Sequence, residues 1–184
     1  RTCTRLDQSL HGYRPLMDEL TALEAIATAV KTITSPVFNT DHVYVYPPAD
    51  FGAQPVIITA YPTVIVSRSM LGETDEWRIK AQGLGLNKWT AHIQVFVAEK
   101  STPEYRVEQL VRGWDKAIAD VLLASRSLNG ACYYMGDAST NDTRLMGIQT
   151  GYLPWFDQNS QNPSTYWGIL YSVPITQIHN QTMG

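Results

Sequence analysis

At 184 residues, with 44% hydrophobic and only 17% charged side chains, the chain is sized and composed as one globular domain that needs no metal or disulfide to fold. A formal net charge of −3 gives no basic footprint, which argues against a nucleic-acid grip built on counterion release. So few charges leave more neutral surface than a free monomer usually shows, which favours an assembled protein.

Cys3 and Cys132 lie far apart without a motif and read as two free thiols. No stretch reaches membrane-span length: the longest apolar run, Val56 to Val66, is interrupted by Thr59, Pro62 and Thr63. No signal peptide is expected from this pattern. Residues 1–14 mix charges, Gly12 and polar residues without periodicity and read as an arm or a cloning remnant, with Met17 as an alternative natural start. The expected organisation is therefore this arm, a single domain over residues 15–179, and a short tail over 180–184.

In Pro15 to Ile33, residues Leu16, Leu20, Leu23, Ile26 or Ala27, Val30 and Ile33 fall on one stripe, which predicts a helix stopped by Ser35-Pro36. His42 to Tyr46 reads as a short strand ended by Pro47-Pro48. Val56 to Ser67 is rich in β-branched residues, and Pro62 makes it an edge strand or a strand bent by a bulge. Met70 to Glu76 is a polar loop, and Trp77 to Ala81 alternates as a short strand. Gly83, Leu84, Gly85, Leu86 and Asn87 read as a flexible hairpin tip, because a strand follows where a phosphate loop would need a helix N-terminus.

Lys88 to Leu123 is the centre of the chain. Trp89, Ala91, Ile93, Val95 and Val97 alternate with the polar Lys88, Thr90, His92 and Gln94, the period of a half-buried strand, with Phe96 breaking the polar face. Ser101-Thr102-Pro103-Glu104 then starts a helix, with Ser101 capping or Thr102 capping ahead of Pro103. Its stripe is Val107, Leu110, Val111, Trp114, Ala117, Ile118, Val121 and Leu122, and Gly113 within it costs about 1 kcal/mol against alanine unless a close helix-to-sheet approach requires it. Leu128-Asn129-Gly130 gives the glycine stop. Ala131 to Met135 and Arg144 to Thr150 read as strands, with Asp137 to Thr143 a turn-rich loop. Gly151 to Ser164 reads as an exposed loop. In the closing strand, Tyr166 to Ile178, Trp167, Ile169, Tyr171, Val173 and Ile175 share a face, and Pro174 favours an edge or a bulge. The expected fold class is α+β, a mostly antiparallel sheet packed by two main amphipathic helices.

Chemistry-bearing residues are scattered. His11, His42, His92 and His179 stand at no metal-binding spacing, and Asp41-His42 lacks a serine in a nucleophile elbow. Glu73, Asp75 and Glu76 cluster in one loop where each meets the same water, and Asp137, Asn141 and Asp142 lack the spacing of a calcium loop. No catalytic residue, cofactor or metal is therefore expected. The aromatic residues Trp77, Trp155, Phe156, Tyr133-Tyr134 and Tyr166-Trp167 sit beside loops or strand ends, where amphipathic rings serve protein interfaces.

The order of elements resembles the tail-terminator and tail-completion proteins of long-tailed bacteriophages. The resemblance runs over roughly residues 16 to 178. It is carried by the helix Leu20 to Val30, Val43-Tyr44-Val45-Tyr46-Pro47-Pro48, Pro55-Val56-Ile57-Ile58, His92-Ile93-Gln94-Val95-Phe96-Val97 with its following helix, and Tyr166 to Pro174. It implies an α+β subunit of a six-membered ring at the head-proximal end of the tail tube, stopping tube polymerisation and docking the head connector. The implied partners are copies of itself, the tail-tube protein and a head-connector or neck protein, with DNA passing ungripped and no membrane. The implied location is the virion, after assembly in the host cytoplasm. The arm at residues 1–14 and the long Gly151 to Thr165 loop depart from the compact family pattern. Gly83, Leu84, Gly85, Leu86, Asn87, Trp155 and Phe156 are the expected subunit-contact residues. The alternatives are another neck, head-closure or tube-like virion subunit, separable by its position in a virion reconstruction, and a small α+β ligand-binding domain or enzyme, which predicts a monomer with a deep polar pocket.

Overall fold

A computed structural model describes residues 15–46, 56–68, 76–80, 84–124, 127–128, 132, 134–135, 146–155 and 164–180. The expectations for residues 1–14, Pro47-Pro48, Gly52 to Pro55, Met70 to Asp75, Gly83, Asn129-Gly130, Tyr133, Asp137 to Arg144, Phe156 to Pro163 and the last four residues lie outside these.

The fold is α+β. Helix α1 (Pro15–Lys31) leads through a 3-10 turn at Thr40–His42 into β1 (Val43–Tyr46), followed by β2 (Thr63–Arg68), β3 (Glu76–Lys80) and β4 (Leu84–Glu99). Helices α2 (Glu104–Val111) and α3 (Trp114–Ala124) come next, then β5 (Tyr134–Met135), β6 (Met146–Trp155) and β7 (Ser164–Asn180). One sheet holds the strands in the order β1-β2-β4-β7-β5, with β3 also beside β4 and β6 also beside β7. The β1–β2 pair is parallel while the other pairs are antiparallel, so the sheet is mixed, which corrects the expectation of a mostly antiparallel one. The physical reason is the crossover between β1 and β2: residues 56–62 do not form the early part of a strand but return the chain so that β2 runs alongside β1. Pro62 consequently precedes β2 instead of bending it.

β4 and β7 are the two long strands, paired from Leu84↔Asn180 to Glu99↔Tyr166 with a register shift between Phe96 and Ala98. Alternation sends Trp89, Ala91, Ile93 and Val95 of β4, and Ile169, Tyr171, Val173 and Ile175 of β7, to one face, where they join Val64 and Val66 of β2 in the main core. Helices cover this face. α1 buries Ala22, Leu23, Ile26, Ala27 and Val30 over β1 and β2, and α3 buries Trp114, Ile118 and Leu122. Glu19 occupies a buried position on α1 because Arg68, at the end of β2, meets its carboxylate at 2.9 Å. Pro174 lies where β6 has ended at Ser172 and β5 begins at Ile175, a gap that asks for no ladder donor.

The helix after β4 departs from expectation. It is two helices, because Gly113 adopts φ +91°, a left-handed conformation that ends α2 and restarts the chain as α3. A Cβ there would meet only Pro36 Cδ, at 3.9 Å, so conformation and not close packing requires the glycine. Gly113→Ala is expected to destabilise the fold by about 1–2 kcal/mol, measured by urea unfolding; an unchanged midpoint would contradict this account of the break. The expected caps are also absent: Pro103 occupies the position before α2 without a side-chain cap, Ser101 Oγ lies 3.5 Å from Glu99, and the Thr102 carbonyl accepts from Trp167 Nε1 at 3.1 Å. Residues 151–155, expected in a loop, continue β6 against Gly168 to Ser164, with Pro154 tolerated on a strand paired on one side only among the described residues.

Tyr171 ties α3 to the sheet. Its buried hydroxyl donates to Asp115 at 2.8 Å, and burial first, with this hydrogen bond and the Asp115 charge next, pushes its ionisation far above the ordinary tyrosine range. An unfolded phenol ionises near pH 10. The folded state therefore holds its full advantage below that pH and loses it as pH rises further. Alkaline unfolding followed by circular dichroism is expected to steepen above about pH 10, and Tyr171→Phe to flatten that loss while costing about 1 kcal/mol at neutral pH.

Candidate functional site

The second sheet face is divided along its length. At the Glu99 end of β4, Ile65, Phe96 and Leu153 form a small core with Tyr46, Val56, Ile58, Trp155, Tyr166 and Leu170 packed against it. Trp155 belongs to this cluster: its ring lies 5.8 Å from both Tyr46 and Phe96, and its Nε1 donates to the Val56 carbonyl at 2.7 Å. Toward the other end, Thr90, His92, Gln94 and Ser172, with Pro174 among them, make the same face largely polar and half-buried, with no described helix over it.

The expected contact residues are not brought together. Leu84 to Asn87 are not a hairpin tip: they are ladder residues of β4, held between β3 and β7, so their backbone groups are already paired. The reason is that β3 pairs back as far as Lys80↔Leu84, which places Leu84 already within the ladder. Asn87 is fully buried, and among the described residues its side-chain amide has no hydrogen-bond partner. Trp155 sits at the opposite end of the sheet, engaged with its own chain, and Gly83 and Phe156 are outside the described residues.

A groove of about 640 Å³ opens at the Glu99 end on the helix side. Pro36 and Val37 form one wall, Tyr61 and Pro62 another, Val97 to Glu99 the floor, and Arg106, Gln109 and Leu110 of α2 with Arg112 just after it the far side, with Trp114 beneath. Val37 is 90% and Leu110 47% exposed, so the groove carries uncovered apolar surface. Neither the Arg106 nor the Arg112 guanidinium has a hydrogen-bond or ion-pair partner among the described residues. Burial, with the Glu99 charge next and Tyr166 after it, pushes the Tyr61 phenol up to about 12. Tyr61 thus presents a neutral hydroxyl beside Glu99 at physiological pH.

Sequence reasoning missed this groove because it placed Leu110 on a continuous helical stripe. Gly113 was the available signal: a break there turns α2 independently of α3, so that Val107 is buried while Leu110 faces outward. His42, considered with Asp41 for a triad, lies in the 3-10 turn with its Nε2 3.5 Å from Asn39 Nδ2. Among the described residues no group of three or more His, Cys, Asp or Glu side chains is placed to hold a metal, and no helix is long and apolar enough to cross a membrane. Cys132 is buried and forms no disulfide among the described residues, and Cys3 is outside them. No protein-family model matches the chain, and no curated protein matches it.

Proposed function

We propose that the protein is a structural ring subunit of a phage tail or neck, positioned at the head-proximal end of the tail tube. There the ring stops tube polymerisation and joins the tail to the head connector. Its partners are further copies of itself, the tail-tube protein and a connector or neck protein, while DNA passes through the lumen without sequence-specific contact.

The observation that carries this reading is the one-sided architecture. A mixed sheet carries helices over one face, and it leaves half of the other face polar and without a described helix. Such a face can line a lumen or meet a neighbour without burying unpaired charge. β1 and β6 each pair on one side only among the described residues, and such edges are natural places for a neighbouring subunit to extend a sheet. Low overall charge suits the closely packed heterologous contacts that a ring needs. The test is genetic: particles assembled without this protein are expected to carry over-long tails or to separate into heads and tails. Normal virions in its absence would contradict the reading.

A further inference from the structure

We propose that the groove between Val37 and α2 docks an extended acidic segment of a partner protein, with Arg106 and Arg112 meeting two of its carboxylates and Val37 covering an apolar side chain between them. Every group involved belongs to one chain, so the site stands whether or not the chain closes into a ring. Neither guanidinium has a partner among the described residues, and both line a groove whose walls leave Val37 and Leu110 exposed. Arginine forks match carboxylates and exposed apolar walls match apolar side chains, so the complementary surface carries both. The floor suits an extended backbone. β2 pairs with β4 only as far as Thr63↔Phe96, and Val97 to Glu99 continue past it along the groove without a described strand on that side.

Spacing defines the segment further. Arg106 and Arg112 are separated by about 9 Å along the helix axis, at about 1.5 Å per residue. In an extended chain, side chains two residues apart point the same way about 7 Å apart, and the one between them points the other way. An acidic-apolar-acidic triplet therefore reaches both arginines and turns its middle side chain toward the wall of Pro36 and Val37. Leu110, between the arginines in sequence, meets the aliphatic stems of the acidic residues. Tyr61, neutral at physiological pH, offers a hydroxyl to the backbone of the segment, while Glu99 on the floor repels carboxylates and directs them to the arginines. The same Glu99 and the net charge of −3 disfavour a phosphate backbone in this groove. Among the described residues no extended stretch carries two carboxylates, so the described surface of a second copy does not supply the segment. The occupant is assigned to a different protein.

The experiment is fluorescence anisotropy of the purified full chain with a labelled Gly-Glu-Leu-Glu-Gly peptide, against Gly-Lys-Leu-Lys-Gly and Gly-Glu-Ser-Glu-Gly. The Glu-Leu-Glu peptide is expected to bind about tenfold tighter than either and to weaken as salt rises. Arg106→Glu with Arg112→Glu, verified as folded by circular dichroism, is expected to lose about tenfold in affinity. Val37→Ser is expected to abolish the preference for leucine over serine, and Glu99→Gln to strengthen binding. No binding, equal binding of the lysine peptide, or unchanged binding in the arginine variant overturns the inference. Competition by free glutamate or inorganic phosphate as effective as that of the unlabelled peptide also overturns it, since the site then takes a small anion only. If the chain self-associates and the arginine variant alone is monomeric, the occupant is a second copy and the assignment to a different protein falls. Rings without peptide binding remove the docking site and leave the ring reading, whereas peptide binding by a monomer retains the docking site without the ring.

Discussion

Trp114→Ala is expected to lower stability by about 4 kcal/mol, a large part of the roughly 5–15 kcal/mol that holds a domain of this kind together. Trp114 is 1% exposed at the start of α3, the largest fully buried side chain among the described residues, and its ring meets Phe38 edge-on at 5.1 Å. Truncation removes the transfer free energy of the indole, leaves a cavity under both helices and forfeits the aromatic pair. A thermal melt is expected to shift down by about 10 °C or more. Leu123→Ala is the control, since Leu123 is 44% exposed on the same helix and is expected to cost less than about 1 kcal/mol. Equal effects at the two positions would mean that α3 does not pack as described.

Gly168→Ala is expected to be nearly as damaging, by about 3 kcal/mol, although it adds a single methyl group. A Cβ at Gly168 would lie 2.6 Å from the Val95 carbonyl oxygen and 2.7 Å from Leu153 Cδ1. The side chain can turn away, but the carbonyl belongs to β4, so the central strands must part. Phe96 faces Gly168 across the ladder and fills the space above it together with Tyr166 and Trp155. The contrast is Gly151, directly opposite Gly168 on β6, where a Cβ would meet nothing within 4 Å. Gly151→Ala is therefore expected to be neutral or slightly stabilising, since it removes unfolded-state freedom without a clash. Two facing glycines with opposite outcomes in urea unfolding are a direct test of the β6–β7 register.

The elements legible in the sequence are those whose period is sustained. Trp89 to Val97 and Trp167 to Ile175 alternate long enough to identify β4, β7 and the face they bury, and the Leu23-Ile26-Val30 spacing identifies α1. Three features were not legible. Pro62 breaks a β-rich run, but nothing local says that the part before it crosses over and leaves β2 parallel to β1. Gly113 breaks a helical stripe only because its backbone turns left-handed, which an apolar pattern does not register. Gly85 and Asn87 have turn chemistry, yet β3 and β7 pair with them from both sides, and tertiary pairing overrides the local preference. The same limits explain the contact residues. Trp155 has the ring of an interface residue, but Val56 arrives from far away in sequence to accept its N–H, and the arginine groove exists only because α2 and α3 are separate helices.

The central claim is that this chain closes into a ring with copies of itself. Native mass spectrometry of the purified full chain, with negative-stain images of the same sample, tests it most directly. The expected result is a single closed species of six copies with a central opening. A monomer at every concentration, or open filaments without a closed form, would contradict it.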